Sequence, residues 1–134
     1  MKLVTVNEIM IPKEKVATIS SLETVRNCLN IMQTKKVKSI IVEKDNAHDA
    51  YGIVTYTNIL DAIFAQEGDM DLLNVYDIAT KPIIQVSAEL NISYAAQMMI
   101  NNNVNRLLVT GNNQLLGLIS MNDIVAVLMQ VAQE

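Results

Sequence analysis

The chain has 134 residues, a formal net charge of −4 and a hydrophobic fraction of 51%, enough for one compact domain or two small, mutually dependent halves. An acidic balance without a Lys/Arg stripe disfavours a nucleic-acid backbone as partner. The longest uninterrupted apolar run, Ile124 to Met129, is far short of a membrane span. The opening segment from Met1 to Glu8 lacks the apolar stretch of a secretory leader. Cys28 is the only cysteine, so no internal disulfide is expected and a reducing cytoplasm is the default.

In chain order, Val16 to Ile19 reads as a short leading strand. Val25, Cys28, Leu29 and Met32 fall at i, i+3, i+4 and i+7, the apolar stripe of an amphipathic helix, and Ser20-Ser21 stand where they could cap it. Ile40 to Val42 and Gly52 to Thr55 read as strands joined by the polar loop Glu43 to Tyr51. A helix from about Asn58 to Gln66 follows, and Glu67 to Asp71, acidic with one glycine, reads as a linker. Ile83 to Val86 is a second leading strand, Ser87 a second cap, and Ile92, Ala95, Ala96 and Met99 a second helical stripe. Asn101-Asn102-Asn103 ends that helix, where Asn commonly adopts the left-handed C-cap conformation. Leu107 to Val109, a loop from Thr110 to Leu115, Leu116 to Ser120, and a helix from about Asn122 to Ala132 complete the chain. Short, fully apolar strands suggest sheets covered on both faces.

The order β-α-β-β-α therefore occurs twice. Gly52-Ile53-Val54-Thr55 with Asn58 matches Gly117-Leu118-Ile119-Ser120 with Asp123 at an offset of 65. The helix stripes match at 67, and Val6-Asn7-Glu8-Ile9 matches Val75-Tyr76-Asp77-Ile78 at 69. Each drop of two is a loop-length difference, tolerated at the surface. Two copies are too few for a solenoid. They predict an α/β fold of the α+β kind: two repeats related by a pseudo-twofold axis, with residues 1–66 as the first, 67–71 as the linker and 72–134 as the second. The seam between such copies is a natural place for paired ligand pockets.

With the glycine–strand–hydroxyl–x–x–Asp/Asn run recurring after the same helix and hairpin, almost the whole chain resembles a tandem pair of CBS domains, the family named for cystathionine β-synthase. The second half is the closer match: Val104-Asn105-Arg106-Leu107-Leu108-Val109, then Leu116-Gly117-Leu118-Ile119-Ser120 and Asp123-Ile124. The resemblance implies a mixed three-stranded sheet with two helices per half and a disc formed by the halves, a Bateman-type module. It also implies adenine-nucleotide sensing in clefts between them, commonly within a dimer of pairs.

A carboxylate at a helix start can accept hydrogen bonds from two vicinal ribose hydroxyls, each worth roughly 1.5–3 kcal/mol. Asp123 is therefore a ribose candidate, although Asp is also a good N-cap with or without ligand. The resemblance gives Ser120 a ribose or phosphate contact. Asn58, the counterpart of Asp123, bonds hydroxyls without charge assistance, so the site on Thr55 and Asn58 is expected to be the weaker one, or a helix cap only. Because family pockets are composite, Asp123 and Ser120 would be grouped with Ile11-Pro12, Val16-Ala17 and Lys38. Asn58 and Thr55 would be grouped with Thr80, Ile83-Ile84 and Asn105. Leading-strand backbone would read adenine's edge while apolar side chains sandwich its faces; core packing is the competing reading of those side chains. Arg106 and Lys38 are candidate phosphate cations, the first as a planar fork and the second as a point charge, and either also fits a solvated surface group.

Catalysis finds little footing. Cys28 lies on the apolar helix stripe, and His48 is the one histidine of the chain, in a polar loop without a second His or Cys for a metal. No glycine-rich phosphate loop is present. The function expected is a regulatory module sensing AMP, ADP or ATP, with S-adenosylmethionine and a dinucleotide left open. The nucleotide would be a regulatory ligand, with no obligatory cofactor and no metal. The partners expected are a second copy of the chain and an unidentified effector protein, the stretch Ile124 to Met129 packing on another subunit. The alternatives are a constitutive dimerisation or interaction module without ligand, the regulatory fragment of a larger enzyme or transporter, and a nucleotide hydrolase using the same cleft.

Overall fold

The computed structural model describes residues 3–134; Met1 and Lys2, at the head of the segment read for a leader and of the first repeat, lie outside the described residues. In chain order the elements are α1 (Val6–Ile9), β1 (Ile11–Pro12), a 3-10 turn (Lys13–Lys15), β2 (Thr18–Ile19), α2 (Val25–Lys35), β3 (Ser39–Val42), β4 (Gly52–Thr55) and α3 (Tyr56–Leu60). A π-helical turn (Asp61–Ala65), α4 (Val75–Ile78), β5 (Gln85–Ser87), α5 (Ile92–Asn102), β6 (Arg106–Gly111), β7 (Gln114–Ser120) and α6 (Met121–Val131) follow. The fold is mixed α/β with two sheets. It divides into two compact units, one made of the residues up to Val16 with Ile84–Glu134, the other of Ala17–Ile83. Each unit thus contains the four-residue helix that opens the other repeat.

In the unit Ala17–Ile83 the strand order is β2-β3-β4, with β2 parallel and β4 antiparallel to β3. Helix α2 buries Val25, Cys28 and Met32, and Cys28 and Met32 cluster with Ile19, Ile40, Val42 and Val54 of the sheet. Its N-cap is Thr24, whose hydroxyl accepts from Asn27 N at 3.1 Å, a contact worth about 1 kcal/mol. Ser20 and Ser21, the expected caps, bond instead to Leu22 N and to the Asp45 carboxylate. A left-handed Lys36 (φ 56°) ends α2. Helix α3 starts earlier than the apolar pattern suggests, since Thr55 caps it. It runs on into the π turn, where Gln66 N donates to Asp61 O at 2.9 Å.

A helix as short as α4 has no stability of its own. Val75 is fully buried in this unit's core, Val75 N donates to Glu23 O at 2.8 Å, and Tyr76 N to Ser21 O at 3.0 Å. The stretch read as a linker is tied in as well: Arg26 N donates to Met70 O at 3.1 Å, and the Arg26 guanidinium grips Asp71 at 2.6 and 2.9 Å. That pair is exposed, so it orders the chain more than it stabilises it.

The second unit repeats the plan with one more strand, in the order β1-β7-β6-β5. Strand β5 is parallel to β6, and β7 is antiparallel to both β6 and β1. Helix α5 buries Ile92, Ala95 and Met99 and is capped by Asn91, not Ser87, at 2.8 Å to Ser93 N. It ends on left-handed Asn103 (φ 53°), as the Asn run predicts. Asn112 and Asn113 take positive φ in the tight β6–β7 turn, which joins the strands closely. Helix α1 docks as α4 does: Val6 is fully buried, its N–H donates to Leu90 O at 2.8 Å, and Asn7 N donates to Ala88 O at 2.9 Å.

Candidate functional site

Ser120 and Asp123 meet where β7 ends and α6 begins, in the unit that ends at Glu134. Asp123 Oδ2 accepts from Ser120 N at 2.8 Å and from Ser120 Oγ at 2.9 Å, while Asp123 N donates to Ser120 Oγ at 3.2 Å. This reciprocal capping box satisfies the helix start. It engages one carboxylate oxygen only: among the described residues no protein donor reaches Asp123 Oδ1. Both side chains are half-buried.

Neighbouring strands fix what surrounds this junction. Arg106 lies opposite Ser120 in the β6–β7 register, and its Nη1 donates to Asn105 Oδ1 at 3.0 Å. Asn105 O accepts from Met121 N at 2.8 Å, so Asn105 belongs to the Ser120 junction. Ile11 and Pro12 of β1 pair with Leu118 and Gly117, just before Ser120. Val16 follows the 3-10 turn and is half-buried. Ile84 O accepts from Leu108 N at 2.9 Å. Pro12, Val16, Ile84, Asn105, Arg106, Ser120 and Asp123 are thus all in one unit.

Thr55, Asn58, Thr80, Lys38 and Ala17 belong to the other unit. Thr55 N and Oγ1 donate to Asn58 Oδ1 at 2.8 and 2.9 Å, copying the Ser120–Asp123 arrangement. The Asn58 amide goes further. Its Nδ2 donates to Ile78 O at 2.9 Å and to Thr80 Oγ1 at 3.1 Å. Thr80 also pairs with Ile53, Ile53 N to Thr80 O and Thr80 N to Ile53 O both at 2.9 Å. Sequence reading treats Asn58 as a weaker Asp or a helix cap only; the capping box with Thr55 is present, and the tie to Ile78 and Thr80 is the role it misses. Lys38 is exposed just before β3, and Ala17 is buried with its carbonyl accepting from Ile41 N at 2.9 Å.

A cleft of about 410 Å³ in this unit is lined by Thr57, Asn58, Asp61, Ala62, Gln66, Gly68, Leu73, Asp77 and Ile78. Its walls carry two carboxylates and no lysine or arginine, the wrong sign for a phosphate. Cys28 is fully buried in the core, and burial pushes its thiol up to about 11, away from nucleophilic use. Among the described residues no helix is long and apolar enough to cross a membrane.

The CBS domain profile matches residues 6–65 and 75–130. The chain is 28% identical over 130 residues to an uncharacterized protein of Methanopyrus kandleri, covering 95% of this chain and 64% of that protein. It is 30% identical over 111 residues to the inosine-5'-monophosphate dehydrogenase of Methanocaldococcus jannaschii, covering 82% of this chain and 21% of the dehydrogenase. The chain thus spans less than two thirds of the length of these relatives. A solved hexameric CBS-CP12 protein from bloom-forming cyanobacteria is similar at a TM-score of 0.85 and 34% identity, over 93% of this chain and 72% of that one. The profile matches fall on both sequence repeats and take in both strand–helix junctions, and the chain belongs to the CBS domain family.

Proposed function

We propose that this chain is a regulatory module whose work is binding an adenine nucleotide at the Ser120–Asp123 junction, without turnover. The observation that carries the reading is the half-used carboxylate: Oδ2 of Asp123 holds the helix cap while Oδ1 is left to receive a donor. A ribose diol supplies such donors, and a charge-assisted bond is worth about 1.5–3 kcal/mol. Ser120 would share the ribose or a phosphate, Arg106 opposite it would meet phosphate oxygens, and Ile11, Pro12 and Val16 would flank the base. Occurrence of the same domains within a dehydrogenase supports a regulatory role. The nucleotide would act by favouring one arrangement of a bistable partner over another, which requires different affinities for the two.

Thermal melting with AMP, ADP, ATP and S-adenosylmethionine tests this. A ligand at a hundred times its Kd stabilises by about 2.7 kcal/mol, a rise of about 10 °C for a chain of this size. No shift with any of the four contradicts the reading.

Exposed apolar side chains favour a second property, self-association. Tyr56, Leu60 and Phe64 are 52%, 55% and 77% exposed, and their repeat counterparts Met121, Val125 and Met129 are 39%, 38% and 62% exposed. A homodimer is proposed to cover these stripes, since exposed apolar patches mark contact surfaces. Sedimentation equilibrium of the wild type and of Phe64→Glu with Met129→Glu tests it. Monomeric wild type at all concentrations would contradict it.

A further inference from the structure

We infer that Asn58 locks the Thr55 junction shut and so limits this chain to one nucleotide, held at Asp123; the inference rests on the nucleotide reading above and adds its stoichiometry. Three differences between matched positions carry it. The first is the change of group. A carboxylate has no donor, whereas an amide has two, and both donors of Asn58 are engaged, by Ile78 O and Thr80 Oγ1. Its oxygen is engaged twice by Thr55. A ribose hydroxyl at Asn58 would have to displace bonds already made.

The second difference is in the acceptor. At the offset of 69, Thr80 corresponds to Ile11, which has no hydroxyl, and Asp123 has no proton to give a backbone carbonyl. The bond to Ile78 O therefore needs the amide and the bond to Thr80 Oγ1 needs the hydroxyl as well, and the Asp123 junction has neither group. The third is in the cation. The residue facing Ser120 across the hairpin is Arg106, but the residue facing Thr55 is Ser39, 9% exposed. A phosphate at the Thr55 junction would meet no guanidinium there, and the cleft beside Asn58 carries Asp61 and Asp77.

Isothermal calorimetry with AMP, ADP and ATP on the wild type, Asn58→Ala and Asn58→Asp, with amide-exchange NMR of the Asn58 side chain, decides the matter. One nucleotide per wild-type chain is expected, with the affinity of the Asp123 site in both variants within about twofold of the wild type. The Asn58 side-chain protons should exchange at least about tenfold more slowly than those of a solvated amide, and faster in Thr80→Val. Two nucleotides per wild-type chain, or a tenfold loss of affinity in Asn58→Ala, would overturn the inference. If no nucleotide binds the wild type, the nucleotide reading itself fails. The lock is then judged by exchange alone, and unprotected Asn58 protons refute it.

Discussion

The glycine of each strand–helix motif stands where another backbone comes closest, and the two positions differ in tightness. Neither has positive φ, so conformational freedom is not the reason for them. At Gly117, opposite Pro12 on β1, an added Cβ would overlap the carbonyl oxygen of Ile11 and lie 2.7 Å from Met10 Sδ. At Gly52 it would lie 3.0 Å from Thr80 O and 3.4 Å from Lys81 Cβ. A thioether can rotate aside, but a paired backbone carbonyl cannot, so Gly117→Ala must lift β1 from β7. Overpacking costs about 1–3 kcal/mol, and each ladder bond lost adds about 0.5–1.5 kcal/mol. Together these come to about 2–4 kcal/mol. With an unfolding entropy near 2.1 cal/mol/K per residue, Tm falls by about 7–14 °C. Gly52→Ala needs a shift of a few tenths of an ångström and is expected to cost about 1 kcal/mol, or 3–4 °C. Scanning calorimetry of the wild type and both variants measures this directly. Equal losses, or the larger loss at Gly52, would refute the close-approach account.

Three further outcomes follow from the same geometry. The Asp49 carboxyl is lowered to about 2 by the backbone N–H of Asp45, the Lys81 ammonium and the backbone N–H of Ala50. Its folded value lies below its unfolded one, so its contribution is full above about pH 4 and is lost as pH falls toward 2. Urea midpoints of wild type and Asp49→Asn should therefore differ by a constant amount above about pH 5 and converge between about pH 4 and 2; a gap unchanged down to pH 2 contradicts this. The Cys28 thiol, raised to about 11 by burial, should react with an aromatic disulfide reagent at pH 8 only as fast as the protein opens, and immediate labelling would show it exposed. Arg106→Ala should weaken ATP about tenfold more than adenosine, the value of one charge-assisted phosphate contact, and equal losses would remove Arg106 from the phosphate.

Local periodicity made the helices and strands legible. Val25, Cys28 and Met32 announce α2, and Ile92, Ala95 and Met99 announce α5, because each stripe buries one face. The hydroxyl and Asp three residues apart located the Ser120–Asp123 cap at the strand–helix junction. Helices α1 and α4 were visible only as a repeated Val-x-x-Ile pattern, since four residues are too few to show a period. Their placement depends on bonds such as Val6 N to Leu90 O and Val75 N to Glu23 O, whose partners lie far off in sequence. Caps Thr24 and Asn91 were masked by serines a few residues upstream that engage other groups. The tie from Asn58 to Ile78 and Thr80 spans some twenty residues, so no motif announces it. Yet the Asp-to-Asn change at a matched position was the sequence signal that pointed there.

Titration of AMP by calorimetry into the wild type and Asp123→Asn tests the central claim most directly. Asparagine keeps the side chain's shape and its capacity to cap α6, so without ligand the melting temperature should stay within about 3 °C of the wild type. Affinity should fall at least about tenfold, the loss of 1.4 kcal/mol or more of charge assistance. Binding of equal strength by both proteins would contradict the assignment of Asp123 to the ribose.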